Sequence, residues 1–279
     1  MNARRSNPPI ALTIAGSDSG GGAGIQADLR TFAAHGVHGV CAITAVTAQN
    51  TRAVTAIQPL PERIVRAQLD AVFSDFRIRA VKIGMLATAG IVRSVAAELG
   101  RHPAIPLVLD PVLVATTGAR LARGDLVQPL RRHLLARADV LTPNIPETEA
   151  LLGRNVRNRT EMLAAAIDLA GLGARAVLLK GGHLAGRRVF DLLLSPDGAH
   201  WFEHARIPGA AHGTGCTLAS AIAANLAHGD SLIDAVGSAI EYVHRALAAG
   251  YRPGRGNLRV LDLERRTRPR KALSATLSR

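Results

Sequence analysis

Ile10-Ala11-Leu12-Thr13-Ile14-Ala15 runs into Gly16-Ser17-Asp18-Ser19-Gly20-Gly21-Gly22-Ala23-Gly24, and a segment of helical character, 25–34, follows. An apolar run of strand length, a glycine-rich turn and a helix predict, in that order, the first unit of an α/β fold. The alternation continues. Further strands are predicted at 40–47, 80–83, 107–109, 140–141 and 176–179. Helices are predicted at 62–75 after Pro61, from a cap at Thr88 to Leu99, and at 125–136, 161–172, 218–226 and 232–249. Residues 54–57 read as a small flap strand, and 189–194 and 200–207 as two more extended segments. Short apolar strands alternating with helices predict a mostly parallel central sheet covered by helices on both faces. With no repeat and no internal linker, 1–263 reads as one domain and 264–279 as a flexible basic tail.

The composition narrows the functional classes. At 279 residues and 48% apolar content the chain can bury a full core. No apolar stretch approaches the ~20 residues a membrane span needs, so no membrane partner is expected. Arg4 and Arg5 precede only a short apolar run without a small-residue cleavage site, which argues against a secretory leader. Two cysteines, Cys41 and Cys216, make no disulfide framework and suit a reducing cytoplasm. The net charge of +13 is carried by 34 basic residues of which only Lys82, Lys180 and Lys271 are lysines. Much of the excess lies after Tyr251. With 3% aromatics there is no base-stacking platform, so nucleic acid is not an expected partner, whereas anionic small substrates are.

In a parallel sheet, ligands bind beyond the carboxyl ends of the strands, and the polar clusters of this chain fall there. Gln49 follows the second strand; its amide both donates and accepts, which suits an aminopyrimidine edge or a loop backbone. Asp110 follows the strand at 107–109. Asn144-Ile145-Pro146-Glu147 follows the next strand and reads either as a helix cap or as an amide and carboxylate holding Mg²⁺ through water. Lys180, before Gly181-Gly182-His183, is placed to neutralise phosphate oxygens. Finally, His212-Gly213-Thr214-Gly215-Cys216-Thr217 precedes the buried helix at 218–226. Free amides and the positive end of the dipole at a helix start favour an anion. Cys216 in that field is expected to favour the thiolate and to serve as a base. Amide cradle, lysine, Mg²⁺ and base are the parts of phosphoryl transfer.

Seven ordered blocks, from Gly16–Asp28 through 42–51, 82–86, 109–112, 142–147 and 180–183 to 212–217, resemble the bacterial hydroxymethylpyrimidine/phosphomethylpyrimidine kinases over residues 10–250. The resemblance implies a ribokinase-like α/β fold, a homodimer, and ATP-dependent phosphorylation of 4-amino-5-hydroxymethyl-2-methylpyrimidine and then of its monophosphate, for thiamine biosynthesis. It implies that Gln49, Asp28, Gly16, Ala23, Met85 and Val112 bind the substrate. Gly213, Gly215, Cys216 and Lys180 would be catalytic, Asn144, Lys180 and Thr214 would bind ATP, and Asp110 and Glu147 would serve Mg²⁺.

The chain departs from the family pattern at Ala210-Ala211, at Thr116-Thr117-Gly118 and at Gly254-Arg255-Gly256-Asn257-Leu258. Two alternatives stay open at this point: a pyridoxal kinase of the same branch, and a non-catalytic pyrimidine-sensing protein.

Overall fold

The structure, a computed structural model, describes residues 7–113 and 124–264. Nine strands form one sheet in the order β3-β2-β1-β4-β5-β6-β7-β8-β9. These are β1 (Ile10–Asp18), β2 (His38–Gln49), β3 (Val54–Pro59), β4 (Ile78–Ile83), β5 (Leu107–Leu109), β6 (Val140–Leu141), β7 (Val177–Leu179), β8 (Arg188–Ser195) and β9 (Gly198–Ala205). Pairings from β2 through β7 are parallel, while β3, β8 and β9 add antiparallel edges. The mostly parallel sheet expected from the sequence is therefore the sheet observed.

The period-2 alternation of a strand sorts its side chains onto the two faces. Leu12 and Ile14 of β1, Val81 and Ile83 of β4, and Leu107 and Leu109 of β5 join one core. That core is closed by α2 (Glu62–Asp75), α3 (Ala89–Gly100), α4 (Val127–His133), α5 (Ile145–Leu152) and α6 (Arg159–Gly171). Ala11, Ala80, Val108, Val140 and Leu178 face the other way, onto a core shared with α1 (Gly24–Ala34), α7 (Thr214–Ala227) and α8 (Leu232–Ala248). Helix α7 is buried nearly all round, as expected for a helix enclosed by sheet and neighbouring helices. Its alanines at 219, 221, 223 and 224 let α1 and α8 approach closely.

Several boundaries differ from expectation. Strand β1 continues to Asp18 because its last residues still pair with β2, Ser17 with Val46 and Asp18 with Thr47, after β4 has ended opposite Ile14. That overhang opens a cleft beside β1. The expected separate flap is β3, an edge strand antiparallel to the outer half of β2. The helix expected over 125–136 is α4 followed by a single tight turn, Leu135–Arg137. Helix α5 follows the helix-cap reading of Asn144 and Glu147, which form its capping box, and Pro146 sits in its first turn, where a missing N–H is harmless. Thr88 caps α3 as expected, accepting from the Ile91 amide. A two-stranded parallel pair, β10 (Ala211–His212) with β11 (Arg259–Val260), was also not expected.

Candidate active site

Because β1, β2 and β4 to β7 run parallel, their carboxyl ends lie along one edge of the sheet, and a cavity of about 470 Å³ opens there. Of the site residues expected from the sequence, all but Asp28 line it.

Its floor is the start of α7. Gly213 caps the helix with φ +85°, a backbone conformation that disfavours any side chain. A Cβ there would also strike the Gly22 carbonyl. Thr214, Gly215 and Cys216 are not a loop ahead of the helix but its first turn, so their amides belong to the positive end of α7.

The glycine-rich segment after β1 does not lie open as a ligand-binding loop. It folds around the Asp18 carboxylate, which accepts from the Gly20 amide at 2.8 Å, Gly22 at 3.1 Å and Ala23 at 2.9 Å. His212 adds its Nε2 at 3.0 Å. Burial raises the Asp18 carboxyl pKa, but His212 and these amides outweigh it and hold the group below its ordinary value. The same His212 Nε2 lies 2.7 Å from the amide nitrogen of Gln49. His212 thus ties the glycine segment to the start of α7 and stands against the end of β2. The sequence reading placed His212 and Asp18 near the site but gave neither a role of its own. Their signal was present, since both stand inside motif blocks, but the contact between them joins opposite ends of the chain.

Beside this polar wall stands an apolar one. Met85 and Val112 pack with Ala45, Val54 and Ile57, and a Cβ on Gly16 would lie 2.9 Å from the Met85 sulfur. An apolar wall facing a polar one, with the Gln49 amide at the polar side, is the kind of lining that suits a heterocycle.

The opposite end is charged. Lys180 Nζ donates to Asp110 Oδ1 at 3.0 Å and stands 3.9 Å from Glu147 Oε2. Asn144 donates its backbone N–H to Glu147 Oε2 at 2.8 Å and accepts the Glu147 amide at 2.9 Å. The capping role is therefore real, and both residues still face the cavity. Burial pushes the Glu147 carboxyl up to about 7 against the pull of Lys180, with Asp110 adding to the rise. Burial lowers and the two carboxylates raise the Lys180 ammonium, with a net rise that keeps it charged.

Two expectations need correction. Asp28 is fully buried behind the cavity rather than lining it, and its carboxylate is paired with Lys82. Cys216 is not poised as a thiolate: burial pushes its thiol up to about 11, although Lys82 and the Gly24 amide pull the other way. Of the departures from the family pattern, Ala211 lines the cavity beside His212 without offering a polar side chain. Gly254 and Gly256 pack on Thr51, whose Oγ1 accepts the Gly256 amide at 3.1 Å. Thr116-Thr117-Gly118 and the tail beyond 264 lie outside the described residues.

The comparisons with known proteins agree with this geometry. The family model described as phosphomethylpyrimidine kinase matches residues 18–261. A hydroxymethylpyrimidine/phosphomethylpyrimidine kinase of Rhizobium meliloti is 49% identical over 245 residues, covering 87% of this chain and 92% of its own. Among solved structures, a phosphomethylpyrimidine kinase from Clostridium difficile superposes with a TM-score of 0.77 at 39% identity, over 86% of this chain and 99% of that one. The pyridoxal kinase of Staphylococcus aureus in complex with ADP superposes with a TM-score of 0.85 at 32% identity, over 92% and 94%. The expected ribokinase-like architecture is thus the one observed.

Proposed function

The chain belongs to the phosphomethylpyrimidine kinase family, and on that premise we propose that it uses ATP to phosphorylate 4-amino-5-hydroxymethyl-2-methylpyrimidine and then its monophosphate. The diphosphate so formed serves thiamine biosynthesis. The observation that carries this reading is the convergence of an amide-lined helix start, a charged Lys180 and a ring-sized slot ending in Gln49 within one cavity.

The pyrimidine lies between the Met85–Val112 wall and the glycine segment, where Gly16 and Ala23 let it approach the backbone. Gln49 pairs with its polar edge, held in place by His212 and Asp18. The hydroxymethyl group points to Cys216. ATP approaches from the Asn144 and Lys180 side, with its γ-phosphate over Thr214 and the amides at Gly213 and Gly215. Transfer is mostly positioning and charge stabilisation; Lys180 and the α7 amides balance the charge gathering on the equatorial oxygens. Cys216, as thiolate, takes the hydroxyl proton as the new P–O bond forms and the bond to ADP breaks.

Asp110 and Glu147 offer hard carboxylate oxygens on the wall of the cavity, gathered around Lys180. That donor set fits Mg²⁺. Mg²⁺ commonly takes one or two carboxylates and completes its shell with water and substrate phosphates. When bound, Mg²⁺ neutralises phosphate oxygens of the nucleotide.

A homodimer and a cytoplasmic location complete the reading. Among the described residues no helix is long and apolar enough to cross a membrane. A pyridoxal kinase activity is the second reading, favoured by the close superposition on the Staphylococcus aureus enzyme. ADP release with each substrate offered separately decides between them.

A further inference from the structure

Between β4 and helix α7 the chain buries an ammonium group. Lys82, on β4, has no exposed surface, and its Nζ donates to both oxygens of Asp28, at 2.9 and 2.8 Å. Ser220, one helical turn beyond Cys216 on α7, donates to Asp28 Oδ1 at 2.7 Å, and Thr13 on β1 donates to Oδ2 at 2.6 Å. Four elements, α1, α7, β1 and β4, thus converge on one ion pair. Packing alone does not call for it, since apolar side chains of similar volume commonly stabilise a core as well or better. The position of the ammonium is informative. Lys82 shares with Ala80 the face of β4 that packs on α7, and a Cβ on Gly84, just past the strand end, would lie 2.8 Å from Nζ. The charge therefore sits near the carboxyl end of β4, on the side of the sheet that packs on α7, and is tied through Asp28 to Ser220, one helical turn from Cys216.

We propose that Lys82, held in place by Asp28, is a positioning residue that supplies the fixed positive charge stabilising the thiolate of Cys216 during proton removal. This rests on the reading of Cys216 as the base. Asp28 sets the strength of that charge: it locks the ammonium in place and partly cancels it. Among the groups that oppose the burial penalty on the Cys216 thiol, Lys82 is the largest, and the Gly24 amide adds to it; Asp28 from α1 and Asp110 from β5 act in the other direction. Lys180, from β7, is the remaining cation that feels the Cys216 charge. The sulfur thus faces a designed balance of charges rather than the helix dipole alone.

The test is the rate at which iodoacetamide alkylates Cys216 in the full chain at pH 8.5, in a Cys41→Ser background that leaves Cys216 as the single thiol. Alkylation reports the thiolate fraction, and loss of one nearby charge moves a pKa by about one unit or more. Asp28→Asn removes the negative partner and leaves Lys82, so the rate rises about tenfold. Lys82→Met removes the positive charge and leaves Asp28, so the rate falls about tenfold. Ser220→Ala disturbs the same cluster without changing its charge and leaves the rate within about twofold. Opposite responses to the two charge changes support the proposal; responses of one sign, or none, overturn it. If Lys82→Met does not fold, a tenfold rise in Asp28→Asn without a rise in Ser220→Ala supports it, and equal rises overturn it. Failure of the base assignment is separable: it shows as retained kinase activity in Cys216→Ala, whatever the alkylation rates.

Discussion

Lys180 Nζ lies 3.0 Å from Asp110 Oδ1, so the carboxyl ends of β7 and β5 are joined across β6 at the charged end of the cavity. On the proposed reading, this ammonium is the group that would meet the phosphate oxygens of the nucleotide. Replacing it with Met keeps the packing and removes the charge. Lys180→Met is expected to lower kcat by about 10²–10³-fold, the range for loss of one preorganised donor to a developing anion. Steady-state kinetics at saturating ATP measure it.

The pH dependence follows from Cys216. Its thiol is pushed up to about 11, so near neutrality only a small fraction is thiolate. A base active in its deprotonated form gains activity as pH rises toward its pKa. The expected profile of kcat/KM therefore climbs about tenfold per unit between pH 7 and 9, a full-slope limb. A plateau already at pH 7 would contradict this ionisation.

Gln49 is predicted to act on the heterocycle and not on the nucleotide. Gln49→Leu keeps bulk but leaves His212 and the ring edge without the amide. A site built to hydrogen-bond its substrate loses heavily when one partner is removed. The expected outcome is a fall of about 10²-fold in kcat/KM for the pyrimidine, with KM for ATP changed less than about twofold. Varying each substrate in turn separates the two.

Gly213 tests the helix start. Its φ of +85° and the nearby Gly22 carbonyl exclude a side chain. Gly213→Ala is expected to destabilise the fold by about 1–3 kcal/mol and to displace the α7 amides, so that both denaturant midpoint and kcat fall. Gly21→Ala, equally left-handed at φ +72° but with open space around it, costs less.

What the sequence revealed and what it hid have a common cause. Parallel strands carry the residues that follow them to one edge, so Gln49, Asp110, Asn144 and Lys180 could be assembled on paper from strand order alone. Asp28 could not be placed by that rule, because it sits inside a helix. Its signal lay elsewhere: with Ile25 and Phe32 it occupies the buried stripe of α1, and Lys82 stands inside the apolar strand β4. A lone acid and a lone base, each on a core-facing position, imply each other. Helix α5 was legible only as a cap: Asn144 and Glu147 read as one possible helix start, but no helix was drawn after them. The Cys216 thiol was misjudged because a dipole is visible in a motif, whereas burial and the charges of Asp28 and Asp110 around it are visible only after folding.

The account's central claim is a kinase acting on the pyrimidine with Cys216 as its base. The most direct measurement is ADP release with Mg-ATP and hydroxymethylpyrimidine, its monophosphate or pyridoxal, for wild type and Cys216→Ala. The account predicts turnover of both pyrimidines, poor turnover of pyridoxal, and a loss of about 10²–10⁴-fold in the variant with ATP binding retained. Turnover of pyridoxal in preference to both pyrimidines, or full activity in Cys216→Ala, would contradict it.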